Sequence, residues 1–247
     1  MDRATILALN QINRDFYTHR AEEFSATRRR PWRGWLRLLP YIGERETLSV
    51  LDVGCGNGRF AVFLSEHLES PFSYLGIEFS ATALEHARAK LSGLPSITLK
   101  EHDVMAGLDD LTGPFSLIAL FGFLHHVPSF DTRRSLLIEL GRLLEPDGIL
   151  AFSVWQFGRF ERFRKKLIPW DTFLAKTGVE VDPSRLEPGD HILSWGDAEP
   201  AYRYCHFTDS DETSRLVSSL PLECFEVFSA DGRTNDLNQY FLLKRPG

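Results

Sequence analysis

The chemistry of this chain is most concentrated in Leu51-Asp52-Val53-Gly54-Cys55-Gly56-Asn57-Gly58, with Glu78 about twenty residues further on. An apolar strand that feeds a glycine-rich turn and then a helix brings backbone N–H groups and a helix N-terminus against a ligand. Glu78 closes the apolar stretch Tyr74-Leu75-Gly76-Ile77, where an acid accepts hydrogen bonds from both hydroxyls of a ribose. An adenosine moiety is therefore expected. The spacing says which kind. A dinucleotide fingerprint has the form G-x-G-x-x-G, whereas here Gly54, Gly56 and Gly58 alternate and Arg59 follows. Asp52, two residues before the first glycine, would repel a pyrophosphate but suits a ligand that carries an ammonium group. A generic strand-to-helix turn is the competing reading, and the acids at both ends of the unit count against it.

Further candidates follow the same logic. In a doubly wound sheet, ligands lie beyond the carboxyl ends of the strands. Asp103, after Ile97-Thr98-Leu99-Lys100-Glu101-His102, either accepts the exocyclic amine of an adenine, with Val104 and Met105 against the ring, or simply caps the next turn. Phe79 and Phe121 end the second and fourth predicted strands and complete the expected cofactor set of Asp52, Gly54, Cys55, Gly56, Asn57, Glu78, Asp103 and Val104. His125-His126 follows the fourth strand, facing the reacting group; a satisfied structural histidine is the alternative for either. No third ligand has useful spacing, so a metal is not expected. Arg28-Arg29-Arg30-Pro31-Trp32 combines fixed positive charge with a stacking surface, which suits an anionic, aromatic-bearing partner, or is merely a solvated face. A second basic run spans 159–166.

These residues need a scaffold that alternates strand and helix. Short apolar runs predict strands over 48–53, 74–79, 97–102, 115–121 and 149–154, with helices over 59–68, 81–91 and 132–144 between them. Ser80 is a good N-cap, and Glu145-Pro146-Asp147-Gly148 reads as the turn that ends the last helix. A helix over 209–219 and strands over 224–229 and 239–244 complete an α/β fold: a seven-stranded, mainly parallel, Rossmann-like sheet with helices on both faces and an antiparallel last strand. One domain, 1–247, is expected, made of an N-terminal helical cap (1–46), a cofactor-binding core (47–154), a lid (155–207) and a C-terminal helix and hairpin (208–247). The lid begins with a basic helical piece over 159–176 and has little periodicity otherwise. Ile6, Leu9, Ile12, Phe16 and Phe24 form an apolar stripe on the cap, which either covers a sheet edge or roofs the pocket.

Composition sets the boundaries. With 43% hydrophobic and 25% charged residues, the chain is an ordinary globular one, and its net charge of −6 argues against a broadly basic nucleic-acid binder while leaving room for local patches. No run reaches the length of a membrane span, the N-terminus lacks a secretory layout, and Cys55, Cys205 and Cys224 show no metal or disulfide spacing, so a cytoplasmic setting without membrane contact is expected.

The Asp-x-Gly-x-Gly-x-Gly run of 52–58 resembles motif I of the class I S-adenosylmethionine-dependent methyltransferases. The flanks are similar to the eukaryotic tRNA wobble-uridine carboxyl methyltransferases. The matching pieces are Phe24-Ser25-x-Thr27-Arg28-x-x-Pro31-Trp32, Asn57, His125-His126, Ile168-Pro169-Trp170 and Tyr202-Arg203-Tyr204-Cys205-His206-Phe207. The resemblance implies S-adenosylmethionine as cofactor, S-adenosylhomocysteine as product, and a methyl ester formed on a carboxymethyl group of tRNA. It also implies a small activating partner protein. Val127 stands where that family has Trp, and Glu78 where it usually has Asp. A carboxylate acceptor is already ionised at neutral pH and needs no general base; it needs donors that hold it, for which Arg28 and Arg30 are the first candidates and Arg203, His125 or His126 the second. A small-molecule O- or N-methyltransferase and a non-catalytic cofactor-binding adaptor are the alternatives.

Overall fold

Along Leu48–Val53, Leu48 and Val50 point to one apolar layer and Leu51 and Val53 to the other, so this strand, β1, is buried on both faces. Parallel strands covered by helices on each side need such near-continuous apolar runs. The computed structural model describes residues 1–27, 30–43, 45–196 and 200–246. The helices are α1 (Arg3–Ala26), α2 (Leu39–Ile42), α3 (Arg59–His67), α4 (Ala81–Leu91), α5 (Phe130–Arg142), α6 (Glu161–Arg164), α7 (Trp170–Thr177) and α8 (Ser210–Ser218). The remaining strands are β2 (Phe72–Glu78), β3 (Ile97–Glu101), β4 (Phe115–Leu120), β5 (Leu144–Trp155), β6 (Leu167–Ile168), β7 (Asp190–Trp195), β8 (Ala201–His206), β9 (Glu223–Ala230) and β10 (Asn238–Lys244).

Seven strands form the main sheet in the order β3-β2-β1-β4-β5-β10-β9. Only β10, the last strand, runs against its neighbours. Phe60, Phe63 and Leu64 of α3 and Leu84 of α4 pack one face; Leu136, Leu137 and Leu140 of α5 and Leu216 of α8 pack the other. The order reverses between β1 and β4, which opens a crevice at their carboxyl ends. This is the expected fold class. Among the described residues, no helix is long and apolar enough to cross a membrane.

Three expectations need correction. Residues 145–148 do not separate helix from strand: β5 already begins at Leu144, which pairs with Phe115, and the four residues bulge out before Ile149 pairs with Leu117. Asp147, with φ of 62°, makes that excursion and is held by Lys244. The lid is not a helical piece followed by irregular chain. The stretch 159–176 divides into α6 and α7 around β6, and β6-β7-β8 form a second, antiparallel sheet. Finally, α1 does not cover an edge of the main sheet. Its Leu9 and Ile12 are buried with Ile192, Tyr204 and Phe173 of the lid, so helix and lid share an apolar core.

A buried ionic network fastens this lid to the core. Arg133 of α5, fully buried, donates to Glu187 Oε2 at 2.7 Å and Glu212 Oε1 at 2.5 Å. His206 of β8 lies between Asp190 Oδ1 at 2.7 Å and Glu212 Oε2 at 2.8 Å. The network thus joins α5, α8, β7 and β8.

Candidate active site

The glycine turn leaves β1 with Gly54, Gly56 and Gly58 all in the left-handed region, at φ of 70°, 53° and 76°. Gly54 and Cys55 donate their N–H groups to the Ile77 carbonyl at 2.9 and 3.0 Å, which pins the turn to the end of β2. A Cβ on Gly54 would come within 2.6 Å of the Phe123 ring, whereas one on Gly56 would meet nothing within 4 Å. Bare backbone at Gly56 therefore faces the crevice, as close approach of a ligand requires.

Three acids stand around this turn. Asp52 is buried and accepts a 2.5 Å hydrogen bond from the Tyr74 hydroxyl; burial pushes its carboxyl up to about 7. Glu78 accepts from Gly56 N at 3.2 Å through Oε2 and from Ser80 N at 3.1 Å through Oε1, and burial raises its pKa as well. Asp103 caps the next turn by accepting from Met105 N at 3.0 Å, and its other oxygen takes Arg14 of α1. The capping reading of Asp103 thus holds, and the carboxylate lies in the crevice besides.

These groups line one cavity of about 660 Å³, which extends from the glycine turn to the lid. Phe79 packs edge-on to Tyr17, Phe121 lies among Trp35, Phe60 and Tyr240, and Val104 is buried at the wall. Asn57 donates from Nδ2 to Ser25 Oγ at 2.8 Å and so ties the turn to the C-terminal end of α1. The helix therefore roofs the pocket.

The two histidines differ. His126 Nδ1 is 3.0 Å from the Tyr204 carbonyl, which can only accept, so Nδ1 carries the proton and Nε2 accepts from the Tyr17 hydroxyl at 2.8 Å. His126 thereby joins α1 to β8. His125 is buried, 4.1 Å from the His126 ring and 5.0 Å from Trp155. Arg30 sits exposed on the cavity rim, where its carbonyl accepts from Arg59 at 2.8 Å. Arg28 lies outside the described residues. The buried arginine of the cavity is instead Arg203, on β8.

The cavity carries cations beside its acids as well as on the lid: Arg14 pairs with Asp103, and Arg59 follows the glycine turn. Asp52 lies in β1, Glu78 ends β2 and Asp103 follows β3, whereas Lys166 and Arg203 come from the lid, with Arg203 over Trp155 at the end of β5. The fourth lining acid, Asp231, is occupied by Gly34 N, Asn238 and Tyr240. Sequence reasoning overlooked Arg14, Tyr17 and Asn13. Their signal was a second stripe on α1, Asn10, Asn13, Arg14, Tyr17, Ala21 and Phe24, at helical spacing and facing the cavity beside the apolar stripe.

The model of a methyltransferase domain family matches residues 50–148. A protein of Encephalitozoon cuniculi that carries a methyltransferase name is 33% identical over 191 residues, covering 77% of either chain. The Bos taurus protein named "Probable tRNA methyltransferase 9B" is 26% identical over 217 residues; these cover 83% of this chain but only 44% of the bovine one, so the chain spans less than half that relative's length. Among solved structures, an S-adenosylmethionine-dependent methyltransferase of Methanosarcina mazei superposes with a TM-score of 0.62 at 18% identity, over 84% of this chain and 97% of the other, a likeness of fold. Glycine turn, acids, strand order and relatives agree: the chain belongs to the class I S-adenosylmethionine-dependent methyltransferases.

Proposed function

We propose that this enzyme methylates a carboxylate on a modified wobble uridine of tRNA, producing a methyl ester. The observation that carries the reading is that Lys166 and the buried Arg203 of the lid line the same cavity as Asp52, Glu78 and Asp103. The three acids and the open glycine backbone suit a cationic, ribose-bearing cofactor, and Lys166 with Arg203 over the Trp155 ring suits an anionic planar acceptor. The bovine relative named for tRNA supports the same reading.

Asp52, Gly56, Glu78 and Asp103 would hold the cofactor, and the open backbone at Gly56 fits that role. Bound S-adenosylmethionine supplies an electrophilic methyl group with a good leaving group, so alignment supplies most of the acceleration. The chain's part is to orient the acceptor and exclude water. His126 is not placed as a base, because its basic nitrogen already accepts from Tyr17, and an ionised carboxylate needs none.

The test is to incubate the enzyme with labelled S-adenosylmethionine and separate pools of tRNA and small carboxylic acids. Label on tRNA that mild alkali releases is expected, with tRNA binding that weakens steeply as salt rises. Label that enters only the small-acid pool would assign the enzyme to a metabolite instead.

A pH dependence follows from Asp52. Its carboxyl titrates near 7, and the cofactor's ammonium favours the ionised form. S-adenosylhomocysteine, which carries the same ammonium, should therefore bind up to about tenfold more tightly per unit as pH rises toward 7, then level off. Titration calorimetry from pH 5.5 to 8.5 checks this, and Asp52→Asn should flatten the curve.

A further inference from the structure

Arg203 is 6% exposed, yet its Nε has no hydrogen-bond partner and no carboxylate among the described residues pairs with it. Its charge rests against three aromatic rings, Phe16 and Phe24 of α1 at 5.6 Å each and Trp155 at 5.2 Å. Ring faces attract a guanidinium but cannot satisfy its five N–H donors. A buried cation left in this state is costly to keep, and arginine stays ionised throughout the physiological range. The side chain lines the cavity, so the missing acceptor is one that enters there.

The fold says from which side. In the strand order, Glu78 at the end of β2 and Asp103 after β3 lie on one side of β1, and His125 after β4 and Trp155 at the end of β5 lie on the other. Arg203 stands over Trp155, at the end of β5. The next residue fixes its strand, since Tyr204 N donates to Asn13 Oδ1 at 2.9 Å and the Tyr204 carbonyl accepts from His126.

We propose that Arg203 is the residue that recognises the methyl acceptor, gripping its carboxylate through two parallel N–H···O bonds. The inference rests on the carboxylate acceptor proposed above. A fork of this kind occupies two of the four lone-pair sites of a carboxylate and leaves an oxygen lone pair for the reaction. A new bond joins that oxygen to the methyl carbon while the carbon–sulfur bond breaks and its electron pair leaves with sulfur; no proton moves. The ester that forms is neutral, so the charge that held the acceptor disappears with the reaction and Arg203 releases the product.

Arg203→Met and Arg203→Lys test this, with 5-carboxymethyluridine and its neutral carbamoylmethyl counterpart as binding probes on protein loaded with S-adenosylhomocysteine. The wild type should prefer the carboxylate by about tenfold or more, and Arg203→Met should abolish the preference. Arg203→Met should keep its melting temperature or raise it, since an unpaired buried cation is removed, and should hold S-adenosylhomocysteine within about twofold of wild type. Arg203→Lys, which keeps the charge but loses the fork, should lower kcat/KM for tRNA by roughly 10–100-fold. A parallel loss of S-adenosylhomocysteine affinity would assign Arg203 to the cofactor's own carboxylate and overturn the proposal. So would a lowered melting temperature with the preference intact, or competition by inorganic phosphate as strong as by acetate. Because the probes report binding alone, a preference lost in Arg203→Met supports the proposal even if wild-type enzyme labels no tRNA, and labelled tRNA with the preference retained defeats only the role of Arg203.

Discussion

Replacing Arg133 with methionine should destabilise the enzyme by about 3–5 kcal/mol, the usual consequence of removing one partner from a buried charge network. Arg133 is fully buried and is one of two cations set against Glu187, Asp190 and Glu212. Without it, His206 alone faces three carboxylates. At this chain length the loss corresponds to roughly 6–20 °C in melting temperature. Arg133→Lys should fall between, because one ammonium cannot serve both glutamates, as Nη2 does, and also the Val127 carbonyl, as Nη1 does. Urea unfolding at fixed pH measures both, and a change below about 1 kcal/mol for Arg133→Met would show that the network contributes little.

The same network sets a pH dependence. Burial alone would lower the pKa of His206, but hydrogen bonds to Asp190 and Glu212 outweigh burial and the nearby Arg133, and hold it above its ordinary value. Its contribution is therefore complete below about 6.5 and declines as pH rises through the raised folded value. Lid attachment should weaken on the alkaline side, and His206→Gln should remove that part of the slope.

The second large effect is expected at Glu78. Two charge-assisted hydrogen bonds to a ribose, each about 1.5–3 kcal/mol, make Glu78→Ala weaken S-adenosylhomocysteine binding by roughly 100-fold or more. Glu78→Gln should be nearly as damaging. Both carboxylate oxygens already accept N–H groups, from Gly56 and Ser80, so an amide must turn its own NH₂ toward one of these donors and disturb the glycine turn. Glu78→Asp keeps the charge and should retain the most affinity. Calorimetric affinities within about threefold of wild type for Glu78→Ala would exclude Glu78 as the ribose acid.

The residues proposed to hold the cofactor could be picked out from the chain because their geometry is local. One apolar run, one alternating glycine turn and one acid at the next strand end specify it within about thirty residues, and the structure brings Asp52, Gly56 and Glu78 together. Those of the lid could not. Asp190 and His206 sit at buried strand positions, where sequence pattern expects apolar residues, and are tolerated there only because Arg133 and Glu212 arrive from α5 and α8. Likewise, a run of three arginines beside Trp32 outranks a solitary Arg203 when burial is unknown. Only the fold shows that Arg203 is enclosed by rings from α1 and β5, whereas Arg30 lies exposed at the rim.

α1 is tied to the cavity wall at four places: Arg14 reaches Asp103, Tyr17 reaches His126, Asn13 reaches Tyr204, and Ser25 reaches Asn57. One helix thus forms wall at both the glycine-turn and the lid side of the cavity. A ligand that orders this helix beside Asp103 would also order it beside Tyr204, and any coupling free energy between ligands at the two places is equal from whichever side it is measured.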